Sequence, residues 1–214
     1  MKDKKILILS THIDDAEWGC GGFMSRMAKV AQVRQLVFSS AEQSTVEAGH
    51  TVAQLQEEHK AALNELGGKI VVAKCKTDYI VRHFTTHRQN ILEDMVACRK
   101  EYEPDIVLLP GTGDCHQDHQ VVHNEGIRAF RGSSILGYEI AHNYVNTTFQ
   151  ANMYIQVTDE EIEMKICALE CFKTQAHRSA HTSPASIKAL AMLRGSQIGV
   201  KYAEAYEVIR WIVK

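Results

Sequence analysis

The chain of 214 residues carries 24 basic and 26 acidic side chains, a formal net charge of -2, with 45% hydrophobic and 23% charged residues. That length suits one α/β domain with a substantial core, and the composition excludes the disordered and membrane classes. The near-balanced charge excludes a net field that would draw the chain to nucleic acid or an anionic membrane.

In chain order, the opening MKDKKILILS reads as a first buried strand over Lys5–Ser10, its apolar run ending at polar THIDD. That run is too short for a signal-peptide core or a membrane span, so a cytoplasmic protein is expected. Gly21–Ala31 reads as a helix and Gln32–Ser39 as a second strand. Thr51–Leu66 has helical spacing, with Val52, Leu55, His59, Ala62, Leu63 and Leu66 on one side, and ends at Gly67-Gly68. Lys69–Ala73 is a third strand, His87–Glu101 a helix, and Asp105–Leu109 (DIVLL) the most strand-like run, stopped at Pro110-Gly111. Gln120–Arg131 reads as helical, Ser134–Tyr138 as extended, Glu160–Phe172 and Ala185–Gly195 as helices, and Tyr206–Val213 as a late strand. No repeat or linker divides the chain, so residues 1–214 are expected to form a single domain. Strands alternating with helices predict a three-layer, Rossmann-like α/β sandwich around a mainly parallel sheet. The cysteines, Cys20, Cys75, Cys98, Cys115, Cys167 and Cys171, contain no CxxC pair and read as reduced thiols. Cys115 beside His116 offers a ligand or nucleophile, although a small residue filling a turn is the simpler reading.

Two segments carry chemistry. Thr11-His12-Ile13-Asp14-Asp15-Ala16-Glu17 follows the first strand, and Gly113-Asp114-Cys115-His116-Gln117-Asp118-His119 follows DIVLLP. Either alone is explained by turn-favouring Asp in a surface loop. Together they meet, because a parallel sheet brings the ends of those two strands close and ligands bind where connections diverge. His-x-x-Asp from one loop and a His from the other satisfy a catalytic zinc site, which uses three protein ligands and keeps positions open. Burying Asp14, Asp15 and Asp118 together without a cation would be costly, since adjacent carboxylates raise one another's pKa.

The order HxDDxE, GCGG and a downstream HxDH after a hydrophobic strand resembles the PIG-L/LmbE-like N-acetylglucosaminyl deacetylases. The motifs stand here as His12-Ile13-Asp14-Asp15-Ala16-Glu17-Trp18-Gly19-Cys20-Gly21-Gly22 and His116-Gln117-Asp118-His119. Lys165–Leu169 through Thr174-Gln175 and the ending Arg194–Arg210 extend the likeness, the latter toward a branch linked with surface-polysaccharide biosynthesis. The resemblance implies a zinc-dependent hydrolase that deacetylates an N-acetylated amino sugar or its conjugate. It implies that His12, Asp15 and His119 bind the metal, that Asp14 is the general base, and that His116 is a general acid or oxyanion stabiliser. Asp118 would orient His116 and raise its pKa, making an imidazolium. Fe²⁺ or another divalent ion would suit the same donors. Ile13, Ala16, Leu55 and Phe172 depart from the family pattern, the last two at expected substrate-side or supporting positions.

Arg88, Glu139 and Arg178 are candidates for substrate contact, the arginines because their forks match phosphate and carboxylate. His123, one turn after His119, is a candidate for supporting the ligands, whereas His50, His59 and His83 read as surface or core residues. His177 and His181 fall in a polar connection that reads as solvated or as a loop over the substrate. The glycines Gly19, Gly21 and Gly22 lack dinucleotide spacing and read as close helix–sheet packing. The alternatives are hydrolysis of another amide conjugate and a catalytically silent metal- or sugar-binding member. The expected partner is a small N-acetylated sugar or conjugate, with no nucleic acid, no membrane span and a possible homo-oligomer.

Overall fold

The computed structural model describes residues 1–74, 79–174 and 183–213. Its sheet has seven strands: β1 (Lys5–His12), β2 (Gln32–Ser39), β3 (Ile70–Lys74), β4 (Ile106–Pro110), β5 (Ser134–Tyr138), β6 (Met153–Gln156) and β7 (Ala203–Arg210). They lie in the order β3-β2-β1-β4-β5-β7-β6. The first five run parallel, and β7 and β6 close the far edge antiparallel. The expected sandwich is thus the observed one.

Strands buried on both faces explain why β1 and β4 read as unbroken apolar runs. Ile6, Ile8, Ile106 and Leu108 pack with Phe23 and Met24 of α1 (Asp15–Met27), Leu63 of α3 (Val52–Glu65) and Ala168 of α6 (Asp159–Glu170). The alternating Leu7, Leu9, Val107 and Leu109 face the opposite layer, with Met95 of α4 (Arg88–Tyr102) and Val122 of α5 (Gln117–Ala129). Local signals set the helix ends. Thr51 opens α3 with a reciprocal capping box to Gln54, and Thr158 does the same for α6 with Glu161. The stop after α3 uses Gly67 and Gly68 at φ of 105° and 66°, where Gly68 N–H donates to the Leu63 carbonyl. Ser183 caps α7 (Pro184–Ser196).

Two expectations are adjusted. The helix expected over Gly21–Ala31 does resume at Gly21, but it ends at Met27 and is preceded, across a kink at Cys20 (φ -149°, ψ 28°), by a first turn that starts at Asp15 in the acidic loop itself. Its glycines sit against neighbours: a Cβ at Gly19 would overlap the Tyr138 ring, and one at Gly21 would lie 2.8 Å from Lys165 Cγ. The late strand begins at Ala203, three residues earlier than read, and ends at Arg210. A six-residue helix, α2 (Glu42–Glu47), and the four-residue β6 complete the fold. No helix among the described residues is long and apolar enough to cross a membrane.

Candidate metal centre

The sheet order reverses between β1 and β4, so their carboxyl ends frame a crevice. At the end of β1, Ser10 Oγ donates to the His12 carbonyl (2.6 Å) and accepts from Ala16 N–H (3.2 Å), folding the loop tightly onto the start of α1. Asp15 Oδ2 accepts from the His12 backbone N–H at 2.7 Å, so the two side chains converge. After β4, Asp114 Oδ1 accepts from His116 N–H (2.9 Å), and His116 Nδ1 accepts from Asp118 N–H (3.2 Å) as the cap of α5. The first turn of α5 then carries His119 toward His12.

Three donor atoms meet in a triangle. His12 Nδ1 lies 3.3 Å from Asp15 Oδ2, His119 Nε2 lies 3.2 Å from that same oxygen, and the two nitrogens are 3.4 Å apart. A tetrahedral cation with ligands at about 2.1 Å sets those ligands about 3.4 Å from one another. The donor set therefore fits a divalent ion such as zinc without rearrangement. His116 joins the cluster, with ligand-type atoms of His12, His116 and His119 all within 4.8 Å. Each imidazole of the triangle is held from behind by a carboxylate, His12 Nε2 by Asp118 Oδ2 (3.1 Å) and His119 Nδ1 by Asp114 Oδ2 (2.8 Å). Such carboxylate–histidine pairs fix the ring orientation and raise ligand basicity.

The charged groups of the site shift one another's pKa. Burial pushes the Asp15 carboxyl up, but the imidazoles of His119 and His12 outweigh it and hold it well below the usual range. Burial also opposes protonation of His119, yet Asp15 and Asp114 raise its pKa to about 10, and Asp15 and Asp118 raise His12. His116 moves the other way, to about 4, because burial and the neighbouring His119 and His12 disfavour its charge. That direction favours a neutral His116 ring in the metal-free site, whereas an imidazolium is expected from the sequence. With Nδ1 engaged by a backbone N–H, its proton resides on Nε2.

The family model described as GlcNAc-PI de-N-acetylase, PIG-L, matches residues 7–130, more than half of the chain and both loops of the site. The chain belongs to the PIG-L family. The Escherichia coli (strain K12) protein named uncharacterized deacetylase YaiS is 27% identical over 177 residues, covering 81% of this chain and 92% of that protein. Solved structures share the fold. The N,N'-diacetylchitobiose deacetylase of Pyrococcus horikoshii has a TM-score of 0.73 at 20% identity, covering 97% of this chain and 84% of that one. GalB, a 4-carboxy-2-hydroxymuconate hydratase from Pseudomonas putida KT2440, has a TM-score of 0.76 at 18% identity, covering 100% and 98%. A fold shared by deacetylases and a hydratase leaves the reaction to the site residues.

In this PIG-L protein, His12, Asp14, Asp15, His116 and His119 line one cavity of about 320 Å³. Asp14 is buried at the N-cap of α1, beside Asp15. Asp118 holds the His116 ring through its backbone N–H and not through its carboxylate. Its carboxylate takes His12 Nε2 and the backbone N–H groups of Arg82 (2.6 Å) and Phe84 (3.3 Å), so it orients a triangle ligand instead. Arg88 pairs with Glu125, which also holds Arg128 on α5, and it is not among the cavity-lining residues. Arg82 lines the cavity in its place, its backbone at a φ of 70° and clamped by Asp118 and Gln117. Glu139 is engaged by Arg194 beside the cavity, and Arg178, His177 and His181 lie outside the described residues.

Leu55 and Phe172 are both core residues, Phe172 stacked on His59, and neither is among the residues lining the cavity. His123 Nδ1 faces the Pro110 carbonyl at 2.7 Å, contacting neither imidazole of the triangle. Sequence reasoning left Asp114 and Asn143 without roles. Asn143, from the 3-10 turn Ala141–Asn143, donates to Asp114 Oδ2 (3.1 Å) and lines the cavity. Asp114 had a signal, an acid five residues before His119 in the same loop; Asn143 had none.

Proposed function

We propose that this PIG-L protein is a zinc-dependent deacetylase hydrolysing the acetamide of an N-acetylated amino sugar or its conjugate. The triangle of His12 Nδ1, Asp15 Oδ2 and His119 Nε2, with edges of 3.2–3.4 Å, carries this reading. Membership of a de-N-acetylase family supports the choice of amide. Those three residues would hold the cation, and Fe²⁺ is the other ion that two imidazoles and a carboxylate suit. When bound, the cation supplies a Lewis acid that polarises the acetamide carbonyl and acidifies the attacking water.

The chain's own residues supply the proton transfers. Asp14, one residue from a ligand and lining the same cavity, takes the proton of the attacking water. His116, neutral and protonated on Nε2, donates a hydrogen bond to the carbonyl oxygen as its charge grows. Asp14 then returns its proton to the departing amine, so acetate and a free amino sugar leave together. Asp118 and Asp114 keep the imidazoles turned toward the triangle and take no part in proton transfer.

Acetate release from metal-loaded protein, measured across N-acetyl sugars, nucleotide sugars and glycolipids, tests this reading. Acetate and free amine should appear in equal amounts from at least one class. A fully metallated protein that releases acetate from none of them would overturn it.

A further inference from the structure

A second chamber adjoins the catalytic cavity. It has a volume of about 320 Å³ and is lined by Trp18, Ile140, Ile187, Leu190, Ala191 and Ala203 among others. His142 lines both spaces, and its ring meets Trp18 edge-on with centroids 6.1 Å apart. That volume falls at the small end of ligand pockets, room for one ring or a short chain.

The charges around the chamber are already matched. Arg194 is gripped by Glu139 through two hydrogen bonds of 2.9 and 2.5 Å. Lys165 Nζ lies 2.7 Å from Glu204 Oε1, and the Glu204 carboxylate also accepts from Gly22 N–H, Phe23 N–H and the Tyr206 hydroxyl. Among the described residues, Lys165 and Arg194, both lining the chamber, are therefore satisfied, and each stands beside a carboxylate. Among the described residues a phosphate or nucleotide would meet Glu139 and Glu204 without a free cation to offset them, whereas a hydrocarbon against Trp18, Ile140, Ile187, Leu190 and Ala191 meets apolar walls that lose nothing on losing water.

We infer that this chamber is a subsite for an apolar aglycone, an alkyl or aryl group carried by the amino-sugar substrate. The inference rests on the deacetylase reading for orientation. There the acetyl group ends at the triangle, so the hydrocarbon entering past His142 is the group on the sugar's other side.

The test is acetate release from methyl, butyl and hexyl glycosides of N-acetylglucosamine. The kcat/KM should rise at least tenfold from methyl to hexyl; full burial of the five added methylenes would give roughly a thousandfold. Ala191→Trp, which fills the chamber, should bring the hexyl-to-methyl ratio to within twofold, and Leu190→Gln, which adds no bulk, should lower it several-fold. A second readout needs no turnover. In a Trp211→Phe background Trp18 is the remaining tryptophan, and its emission should shift saturably with the hexyl glycoside but not with the methyl one.

Equal kcat/KM along the series, unchanged by either variant, would overturn the subsite and leave the deacetylase reading standing. A gain seen on lengthening the N-acyl chain in place of the aglycone would overturn the aglycone assignment. Saturable Trp18 binding of the hexyl glycoside without acetate from any member would support the apolar subsite, and the deacetylase reading would then fall only if the wider panel of N-acetyl sugars, nucleotide sugars and glycolipids also released none.

Discussion

Asp114 and Asp118 stand behind His119 and His12 in matching positions, each on the ring nitrogen that faces away from the triangle. Removing one such charge should loosen the ligand without removing it. Asp114→Asn is expected to lower metal affinity about 10–100-fold, read by competition with a chelator. Asp14→Asn should behave differently, keeping full metal content while kcat falls about 10²–10⁴-fold. Wild-type turnover in that variant would remove Asp14 as the base. The pKa shifts add a prediction for protein stripped of metal. Asp15 is held low, so its pairing contributes stability above the ordinary carboxylate pKa of about 4 and loses it as pH falls through the folded value. His119 is raised to about 10, so its contribution is complete below about pH 6.5 and lost as pH rises through about 10. The melting temperature of stripped protein should therefore decline from pH 6.5 toward 10, and an equally steep decline in His119→Ala would argue against this source. At this scale the convergence of His12, Asp15 and His119 was legible, because His-x-x-Asp and a later His after strands are a chemical requirement written in spacing. The supporting carboxylates were not. Which nitrogen Asp118 reaches depends on the rotation of the first turn of α5, and Arg82 outranks Arg88 only because the chain from Tyr79 to Phe84 folds over the site.

Helix α1 shows where pattern and packing part. Three glycines within four residues, Gly19, Gly21 and Gly22, oppose a helix by propensity. The backbone is kinked there, at Cys20, and the glycines are kept because Gly19 and Gly21 let it approach Tyr138 and Lys165. Gly19→Ala should cost about 1–3 kcal/mol by overpacking, measured by denaturant unfolding, and should also reduce metal content because α1 begins at Asp15. Gly132→Ala is the contrast: no atom lies within 4 Å of its added Cβ, and its φ is not in the left-handed region. A change within about 1 kcal/mol, neutral or stabilising, is expected there. Strand β6 was missed because four residues give too short a stretch for an alternation to register, and its place is set by pairing with β7.

Over the whole molecule, alternation of strand and helix was enough to place the site, since a parallel sheet whose order reverses between β1 and β4 has one crevice where both loops can meet. The antiparallel turn-back through β7 and β6 was not visible in the sequence, and it supplies the wall of the second chamber through Ala203, Glu204 and Ala205. Family membership and fold agree with this arrangement, yet a hydratase shares the same architecture, so the claim stands on the triangle itself. Elemental analysis of purified protein measures that claim most directly. The account predicts close to one divalent ion per chain, and near-complete loss of it in both His12→Ala and His119→Ala with the fold retained. Full metal content in both variants would contradict it.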